Sequence, residues 1–324
     1  MPLPDLQDSH VLVTGGAGFI GSHLVDALLA RGARVRVLDD LSTGRRENLA
    51  HCASGIELIE GDIRDLQTCR DAIAGCRYVF HQAALGSVPR SIEDPATSLE
   101  VNVQGTVHVL TGAKEAQVER VVFASSSSVF GDSDLLPKRE GEEGQPLSPY
   151  AASKQIDEDV AAVFGTCYDL EWVGLRYFNV YGSRQDPEGP YAAVIPRFFK
   201  AALQGEAMTI YGDGEQSRDF THVTDAVRAN LLAAGADASA CGFAYNVAAG
   251  TQTTVNELAR EIGQLCGATA EPTHLEARPG DVKHSLADLA LVHAALGYEP
   301  ETALAEGLRA SLEYYRRLFA KEHA

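Results

Sequence analysis

The stretch VLVTGGAGFIG, residues 11–21, decides the fold. It begins with a short apolar run typical of a buried strand, and the helical pattern over residues 19–31 places its apolar residues on one face. Between the two, Gly15, Gly18 and Gly21 follow one another at intervals of three. This spacing suits a tight turn, a backbone that approaches a pyrophosphate, and close packing of helix on strand. The stretch therefore predicts a strand–turn–helix unit that binds an anion at the helix N-terminus.

The same alternation continues through the first half of the chain. Short apolar runs predict five more buried strands, at residues 35–38, 56–59, 78–80, 121–123 and 172–175. Helical patterns lie between them, at residues 66–74, from about 95 to 116, and from 149 to about 164. Strands that alternate with helices form parallel sheets with helices on both faces. The sequence thus predicts an α/β fold with a Rossmann-type, doubly wound parallel sheet.

The pattern changes after residue 177. Residues 182–190 are rich in turn-forming residues, and the rest of the chain contains a predicted short strand at 208–211 and predicted helices at 194–203, 254–266 and 304–321. We expect two units. Residues 1–177, together with about 223–247, form the Rossmann domain, and residues 178–222 and 248–324 form a smaller, mixed α/β lobe.

Composition excludes several classes of protein. The 324 residues are 45% hydrophobic and 22% charged, which are values of a globular chain. With 27 basic against 45 acidic residues the net charge is −18, so we expect no binding to nucleic acid or to an anionic membrane. The six cysteines form no C-x-x-C pair, and neither a signal peptide nor a membrane-spanning apolar run is visible. A reduced, cytoplasmic protein is expected.

Acidic and histidine side chains follow the predicted strands. Asp39 lies 18 residues beyond Gly21, where a carboxylate accepts hydrogen bonds from an adenosine ribose and repels a 2′-phosphate, so NAD is favoured over NADP. Asp62 ends the third strand and either contacts the adenine or caps the next helix. His81 follows the fourth strand as a structural histidine, with a catalytic role as the alternative.

A second group of residues carries reactive chemistry. Tyr150 and Lys154 are four residues apart and share one face of a predicted helix. An isolated phenol loses its proton near pH 10, and a neighbouring ammonium together with a positively charged nicotinamide favours the phenolate at lower pH. Serines 125–128 follow the fifth strand, where a hydroxyl is able to bridge the phenol and a substrate hydroxyl. No Ser-His-Asp arrangement suggests hydrolysis.

Taken together, these elements resemble the extended short-chain dehydrogenase/reductase superfamily over nearly the whole chain. Three segments are similar to the UDP-galactose 4-epimerase group: LRYFNVYG at 175–182, SRDFTHV at 217–223 and RPGD at 278–281. Four more resemble bacterial UDP-N-acetylglucosamine 4-epimerases in particular: ALGSVPRS at 84–91, PLSPY at 146–150, RQDP at 184–187 and YAAVIP at 191–196.

The resemblance implies a role for each matching residue. It implies that NAD contacts Gly15, Gly18, Phe19, Ile20, Asp39, Ser42, Thr43, Gly44, Asp62, Ile63, Gln82, Ala83, Tyr150, Lys154 and Tyr177. It implies that a UDP-sugar contacts Ser87, Ser126, Ser127, Tyr150, Asn179, Ala193, Val194, Tyr211, Arg218, Arg278, Asp281 and Ser285. The catalytic residues it implies are Tyr150, Lys154 and Ser126.

The reaction implied by the resemblance is NAD-dependent 4-epimerisation of a UDP-hexose. Tyr150, assisted by Ser126, removes the O4 proton while the C4 hydride passes to NAD. The resulting 4-keto sugar rotates about its bonds to the diphosphate, presents its other face to the nicotinamide and is reduced there. Ser285 stands at a position where a tyrosine narrows the sugar pocket in the family. A small side chain there predicts room for an N-acetyl group, and hence UDP-N-acetylglucosamine and UDP-N-acetylgalactosamine as substrates.

Other activities stay open at this stage. UDP-glucose and UDP-galactose are alternative substrates, as is a UDP-uronic acid whose carboxylate Arg90 and the serines would hold. A nucleotide-sugar dehydratase or decarboxylase needs an acid and a base beside the active hydroxyl, where this chain has Ser127, Ser128 and Val129. An NAD-sensing regulator has no need of the Tyr150–Lys154 pair.

The resemblance also implies a homodimer. Its interface would be a four-helix bundle made from the predicted helices near residues 101–116 and 151–164.

Overall fold

The computed structural model describes residues 3–188, 192–276 and 283–321. Its strands, in chain order, are β1 (His10–Thr14), β2 (Arg34–Asp39), β3 (Ile56–Glu60), β4 (Tyr78–His81), β5 (Arg120–Ser126), β6 (Trp172–Tyr177), β7 (Thr209–Tyr211), β8 (Ser217–Arg218), β9 (Phe243–Val247), β10 (Thr253–Thr254) and β11 (Thr273–Leu275).

The helices fall between the strands and after them. They are α1 (Phe19–Leu29), α2 (Leu66–Ile73), α3 (Val88–Glu93), α4 (Pro95–Leu99), α5 (Gly105–Glu115), α6 (Pro149–Tyr168), α7 (Val194–Gln204), α8 (Val223–Ala234), α9 (Val255–Cys266), α10 (Ala290–Leu296) and α11 (Leu304–Lys321). Short 3₁₀ segments span Arg46–Gly55, Ser127–Phe130 and Ala238–Ala240.

One sheet of seven parallel strands forms the centre, in the order β3-β2-β1-β4-β5-β6-β9. The predicted Rossmann-type α/β fold is therefore confirmed. The chain leaves β1 toward β2 on one side and later returns to place β4 on the other. Ligands of such sheets bind at this reversal, beyond the carboxyl ends of the strands. The segment predicted to return to the sheet supplies β9, which pairs with β6.

Helices cover both faces of the sheet because its strands are apolar on both sides. Along β1, Val11 and Val13 pack into a core with α1 and α8, whereas Leu12 packs into a second core with α2, α5 and α6. A third core joins α7, α9 and α11 in the second half of the chain. Among the described helices, none is long and apolar enough to cross a membrane.

Two predicted helices differ in detail. The helix expected from about residue 95 to 116 widens into a π-helical turn at Glu100–Gln104 between α4 and α5. Asn102 in that turn accepts from the backbone N–H of Leu85 (2.8 Å) and donates to the Ser153 hydroxyl (3.0 Å), so the turn ties a loop to α6. Helix α6 runs four residues beyond its predicted end, until Asp169 adopts a left-handed conformation.

Candidate active site

A cavity of about 500 Å³ opens at the carboxyl ends of the central strands. Fourteen of the residues predicted to contact the cofactor line it: Gly15, Gly18, Phe19, Ile20, Asp39, Ser42, Thr43, Asp62, Ile63, Gln82, Ala83, Tyr150, Lys154 and Tyr177. Ser126, Ser127 and Asn179 line the same cavity. One continuous space therefore joins the glycine turn to the Tyr–Lys pair.

The glycine turn leaves a space that a side chain at residue 15 or 21 would occupy. Gly15 has φ +67°, and a Cβ there would lie 2.6 Å from the backbone nitrogen of Ala83. A Cβ at Gly21 would lie 2.1 Å from the carbonyl oxygen of Gly15. Gly18 precedes α1 as its N-cap and contributes no capping side chain, so a ligand is able to approach the helix N-terminus. The turn fits the pyrophosphate of a dinucleotide.

Asp39 is a buried carboxylate at the end of β2. It accepts hydrogen bonds from the backbone N–H groups of Ala17 (2.9 Å) and Leu41 (2.9 Å), and burial raises its pKa. Gly44 was expected to contact the cofactor but is not part of the described cavity wall. It lies against the Asp39 carboxylate, since a Cβ there would be 2.7 Å from Oδ1 of Asp39.

Asp62 was predicted either to contact the adenine or to cap the helix that follows, and the second prediction is wrong. Asp65 caps α2 by accepting from the backbone N–H of Thr68 (2.6 Å). Asp62 lines the cavity and pairs with Arg64 (2.6 Å), a hydrogen bond that lowers the pKa of the carboxyl.

His81 is a structural histidine. Its Nδ1 lies 2.7 Å from the Thr14 hydroxyl and its Nε2 lies 3.0 Å from the Thr106 hydroxyl. The side chain is buried, and burial lowers its pKa to about 3, so the ring is neutral near pH 7. Both ring nitrogens are thus engaged beneath the cavity.

Tyr177 is held at the cavity by two amides. Its hydroxyl donates to Oε1 of Gln82 (3.1 Å) and accepts from Nδ2 of Asn230 (2.7 Å). The same Asn230 accepts from Nε2 of Gln82 (3.0 Å). This closed ring of three side chains fixes Tyr177 and Gln82 relative to each other.

Tyr150 and Lys154 lie in the first two turns of α6. Ser148 caps the helix, and the backbone N–H of Tyr150 donates to the Ser91 hydroxyl (3.1 Å). Lys154 is 3% exposed, and its Nζ lies 3.0 Å from Oδ2 of Asp157. Ser126 ends β5 on the same cavity, where its Oγ accepts from the backbone N–H of Ser128 (3.1 Å).

Not every predicted substrate residue reaches the large cavity. Ser87 is absent from the described wall, and its hydroxyl caps α3 by accepting from the backbone N–H of Arg90 (3.2 Å). Residues that the sequence reasoning did not assign as ligands do line it, among them Leu85, Val101 and Gln185. Their positions depend on loop and helix packing, for which the sequence offers no local signal.

A second cavity of about 150 Å³ adjoins the first at Asn179. Val194, Tyr211 and Arg218, three of the residues predicted to contact the substrate, line it together with Arg197 and Gln216. Asn179 itself has φ +36° and donates through Nδ2 to the carbonyl of Asp219 (3.1 Å).

Ala193 and Ser285, also predicted as substrate contacts, line neither cavity as described. Ala193 is the N-cap of α7, and its neighbours Ala192 and Val194 form the described wall instead. The backbone N–H of Ser285 donates to the carbonyl of Ser217 (3.1 Å), beside β8. Arg278 and Asp281 lie outside the described residues.

A dinucleotide cradle that shares one cavity with a Tyr–Lys pair defines an NAD-dependent enzyme of the short-chain dehydrogenase/reductase class. The family model described as "NAD dependent epimerase/dehydratase family" matches residues 11–248. The chain belongs to this family, and its cofactor is NAD.

Relatives and solved structures agree with this assignment. A UDP-glucose 4-epimerase of Mycolicibacterium smegmatis is 41% identical over 94% of this chain and 98% of its own. The structure of a UDP-N-acetylglucosamine 4-epimerase from Methanobrevibacter ruminantium, in complex with UDP-N-acetylmuramic acid, has a TM-score of 0.92 at 40% identity and covers 96% of this chain and 99% of its own. A Thermus thermophilus UDP-glucose 4-epimerase in complex with NAD has a TM-score of 0.86 at 38% identity, covering 95% and 99%.

Nucleotide-sugar dehydratases and decarboxylases also match the chain. The comparisons support an enzyme of the NAD-dependent UDP-sugar 4-epimerase type and leave the sugar open. The predicted resemblance to the epimerase group is thereby confirmed.

Proposed function

We propose that the protein inverts C4 of a UDP-N-acetylhexosamine and so interconverts UDP-N-acetylglucosamine and UDP-N-acetylgalactosamine. One observation carries the proposal. The cavity that holds the glycine cradle also contains Tyr150, Lys154 and Ser126, and it meets the smaller cavity of Arg218 at Asn179.

In this proposal the two parts of the chain hold different ligands. Residues 1–177, with about 223–247, hold NAD, and residues 178–222 and 248–324 hold the nucleotide sugar. Arg218 and Asn179 hold the diphosphate, since a guanidinium binds phosphate oxygens in pairs. Binding concentrated on the UDP group leaves the hexose free to turn between its two faces.

Tyr150 moves the proton. Its phenol takes the proton from O4 and later returns it, while the Ser126 hydroxyl orients O4. The ammonium of Lys154 stabilises the phenolate by its charge. NAD, held by the glycine turn and Asp39, would supply the hydride acceptor and donor that C4 needs.

The carboxylates of the cavity favour an epimerase over a dehydratase. Elimination of water needs an acid and a base beside the Ser126 hydroxyl. The acidic residues in the described wall are Asp39, Asp40 and Asp62. They follow β2 and β3, which lie on the opposite side of β1 from β5. Acid–base elimination therefore lacks its groups at the described end of the cavity that holds Tyr150.

The cations of the cavity favour a sugar without a carboxylate. Lys154 is the cationic side chain in the described wall, and Asp157 already pairs with it. Arg90, the residue considered for a uronic acid, does not belong to that wall. Within the described wall, a hexuronate carboxylate would thus find serine hydroxyls but no unpaired cation, at a cost in binding free energy.

A panel of UDP-hexoses tests the function. The protein, loaded with NAD and then freed of excess, is incubated with UDP-N-acetylglucosamine, UDP-glucose and UDP-glucuronic acid, and the products are analysed by NMR. We expect C4 inversion without added NAD, fastest with the N-acetylated sugar. Loss of water or carbon dioxide would identify a dehydratase or decarboxylase, and inertness toward all three would favour an NAD sensor.

Ser285 is the proposed determinant of sugar size. In S285Y, the added ring should lower kcat/KM for UDP-N-acetylglucosamine by about tenfold or more, because the acetamido group loses its room, with a much smaller loss for UDP-glucose. S285A is the matched control and should act as the wild type does. Equal losses on both sugars would show that residue 285 does not discriminate between them by size.

We further propose a cytoplasmic homodimer. All six cysteines are free thiols, as in a reducing compartment. The apolar side chains of Ile92, Leu99, Ile156 and Val163 are exposed on α3, α4 and α6. A surface of this kind is typical of a subunit interface.

A further inference from the structure

Asp157 is a buried carboxylate for which the reaction above has no use. It lies on α6 three residues after Lys154, and its Oδ2 is 3.0 Å from the Lys154 ammonium. The Asp157 side chain is 1% exposed and that of Lys154 3%. A buried pair of opposite charges is costly to form and costlier to break, so each group holds the other in place.

The other titratable groups around this pair are already engaged. From β4, His81 is a neutral ring, because burial and then the charge of Lys154 lower its pKa. Next along α6, Glu158 contacts the Ser125 hydroxyl and pairs with Arg176 of β6 (2.7 Å). Burial raises the pKa of Asp157, and the Lys154 ammonium opposes that effect. Asp157 is thus the carboxylate that neutralises Lys154 in the described structure.

We propose that Asp157 is a positioning residue that anchors the Lys154 ammonium at the cavity and offsets its charge, and so sets the lowest pH at which Tyr150 works as the base. This inference rests on the proposed function, because it assigns Asp157 a part in the same proton transfer. It differs from a packing role, since it depends on the charge of the side chain rather than on its volume.

The sign of the effect follows from electrostatics. Asn in place of Asp157 keeps the size of the side chain but removes a negative charge beside Lys154. The uncompensated ammonium then favours the phenolate of Tyr150. We expect the acid limb of the kcat/KM profile to move to lower pH by about 0.5 to 1 unit in D157N.

Two further variants separate charge from position. D159N removes the same charge from an exposed site two residues along α6 and should leave the acid limb where the wild type has it. D157E keeps the charge but displaces it by one methylene, so kcat should fall while the acid limb stays near its wild-type position. The measurements are pH profiles of kcat and kcat/KM for NAD-loaded protein.

A readout without turnover keeps this test separate from that of the function. The phenolate of Tyr150 is followed by ultraviolet difference titration of NAD-loaded protein, with Y150F as the blank. A lower midpoint in D157N supports the inference even if no UDP-sugar is turned over, in which case the proposed function alone fails. An unchanged midpoint in D157N, or a D157N protein that neither folds nor retains NAD, would overturn it and leave Asp157 a structural residue.

Discussion

Replacement of Tyr150 by phenylalanine is expected to lower kcat by about a thousandfold while NAD remains bound. The substitution removes one oxygen and keeps the ring. The hydroxyl is the group that exchanges the O4 proton, and general acid–base catalysis contributes an effect of this size. The glycine turn and Asp39, which would hold the pyrophosphate and the adenosine ribose, belong to other elements, and the substitution keeps the ring of Tyr150, so the cofactor content should not change.

The measurement combines two assays on the same preparation. NAD content is determined by extraction of the purified protein, and turnover by the rate of C4 inversion. Y168F is the matched control, because Tyr168 ends the same helix on an exposed surface and should tolerate loss of its hydroxyl. Near-normal turnover in Y150F would show that another group takes the proton and would remove Tyr150 as the base.

The sheet was predictable because its signals are local. A continuous apolar run of three or four residues suffices to recognise β1, β4 or β5 in a sheet that is covered on both faces. The glycine turn was equally visible, since its backbone needs residues without a side chain. The π-helical turn at Glu100–Gln104 could not be predicted from the sequence. It places Asn102 so that its side chain hydrogen-bonds Leu85 and Ser153, and both partners are distant along the chain.

Within the site, the sequence identified residue types better than their contacts. Ser87 matched a motif, but its hydroxyl also caps α3 by accepting from the N–H of Arg90, a contact that depends on where α3 begins. Asp62 was expected as a possible cap of α2, but the helix begins at Leu66, so the residue that caps it is Asp65.

The Lys154–Asp157 pair shows the remaining gap. The spacing of three residues on a helix predicts that the two side chains are neighbours. It does not predict their burial, which comes from the packing of α6 against the sheet and α5. Burial strengthens the interaction between the two charges. Sequence reasoning therefore found the lysine and missed its counter-ion.

The other large effect is expected from Gly21→Ala, which should abolish stable retention of NAD. A methyl group at residue 21 would lie 2.1 Å from the carbonyl oxygen of Gly15 and 2.9 Å from Cα of Gly16. Both contacts are with backbone, so the turn itself has to move away from α1. Overpacking of this kind costs about 2–3 kcal/mol, which would weaken NAD binding by about a hundredfold if it falls on the bound state.

NAD affinity is measured by calorimetry on protein stripped of cofactor, and folding by urea denaturation. Gly263→Ala is the matched control, since residue 263 lies inside α9 and its added methyl would meet only Cε of Met208, at 3.4 Å. Alanine in a helix interior should stabilise the fold by about 0.5–1 kcal/mol and leave NAD affinity unchanged. If G21A bound NAD as tightly as the wild type, the close approach of α1 to the Gly15 carbonyl would not be what shapes the pyrophosphate site, and the anion would have to be held by side chains instead.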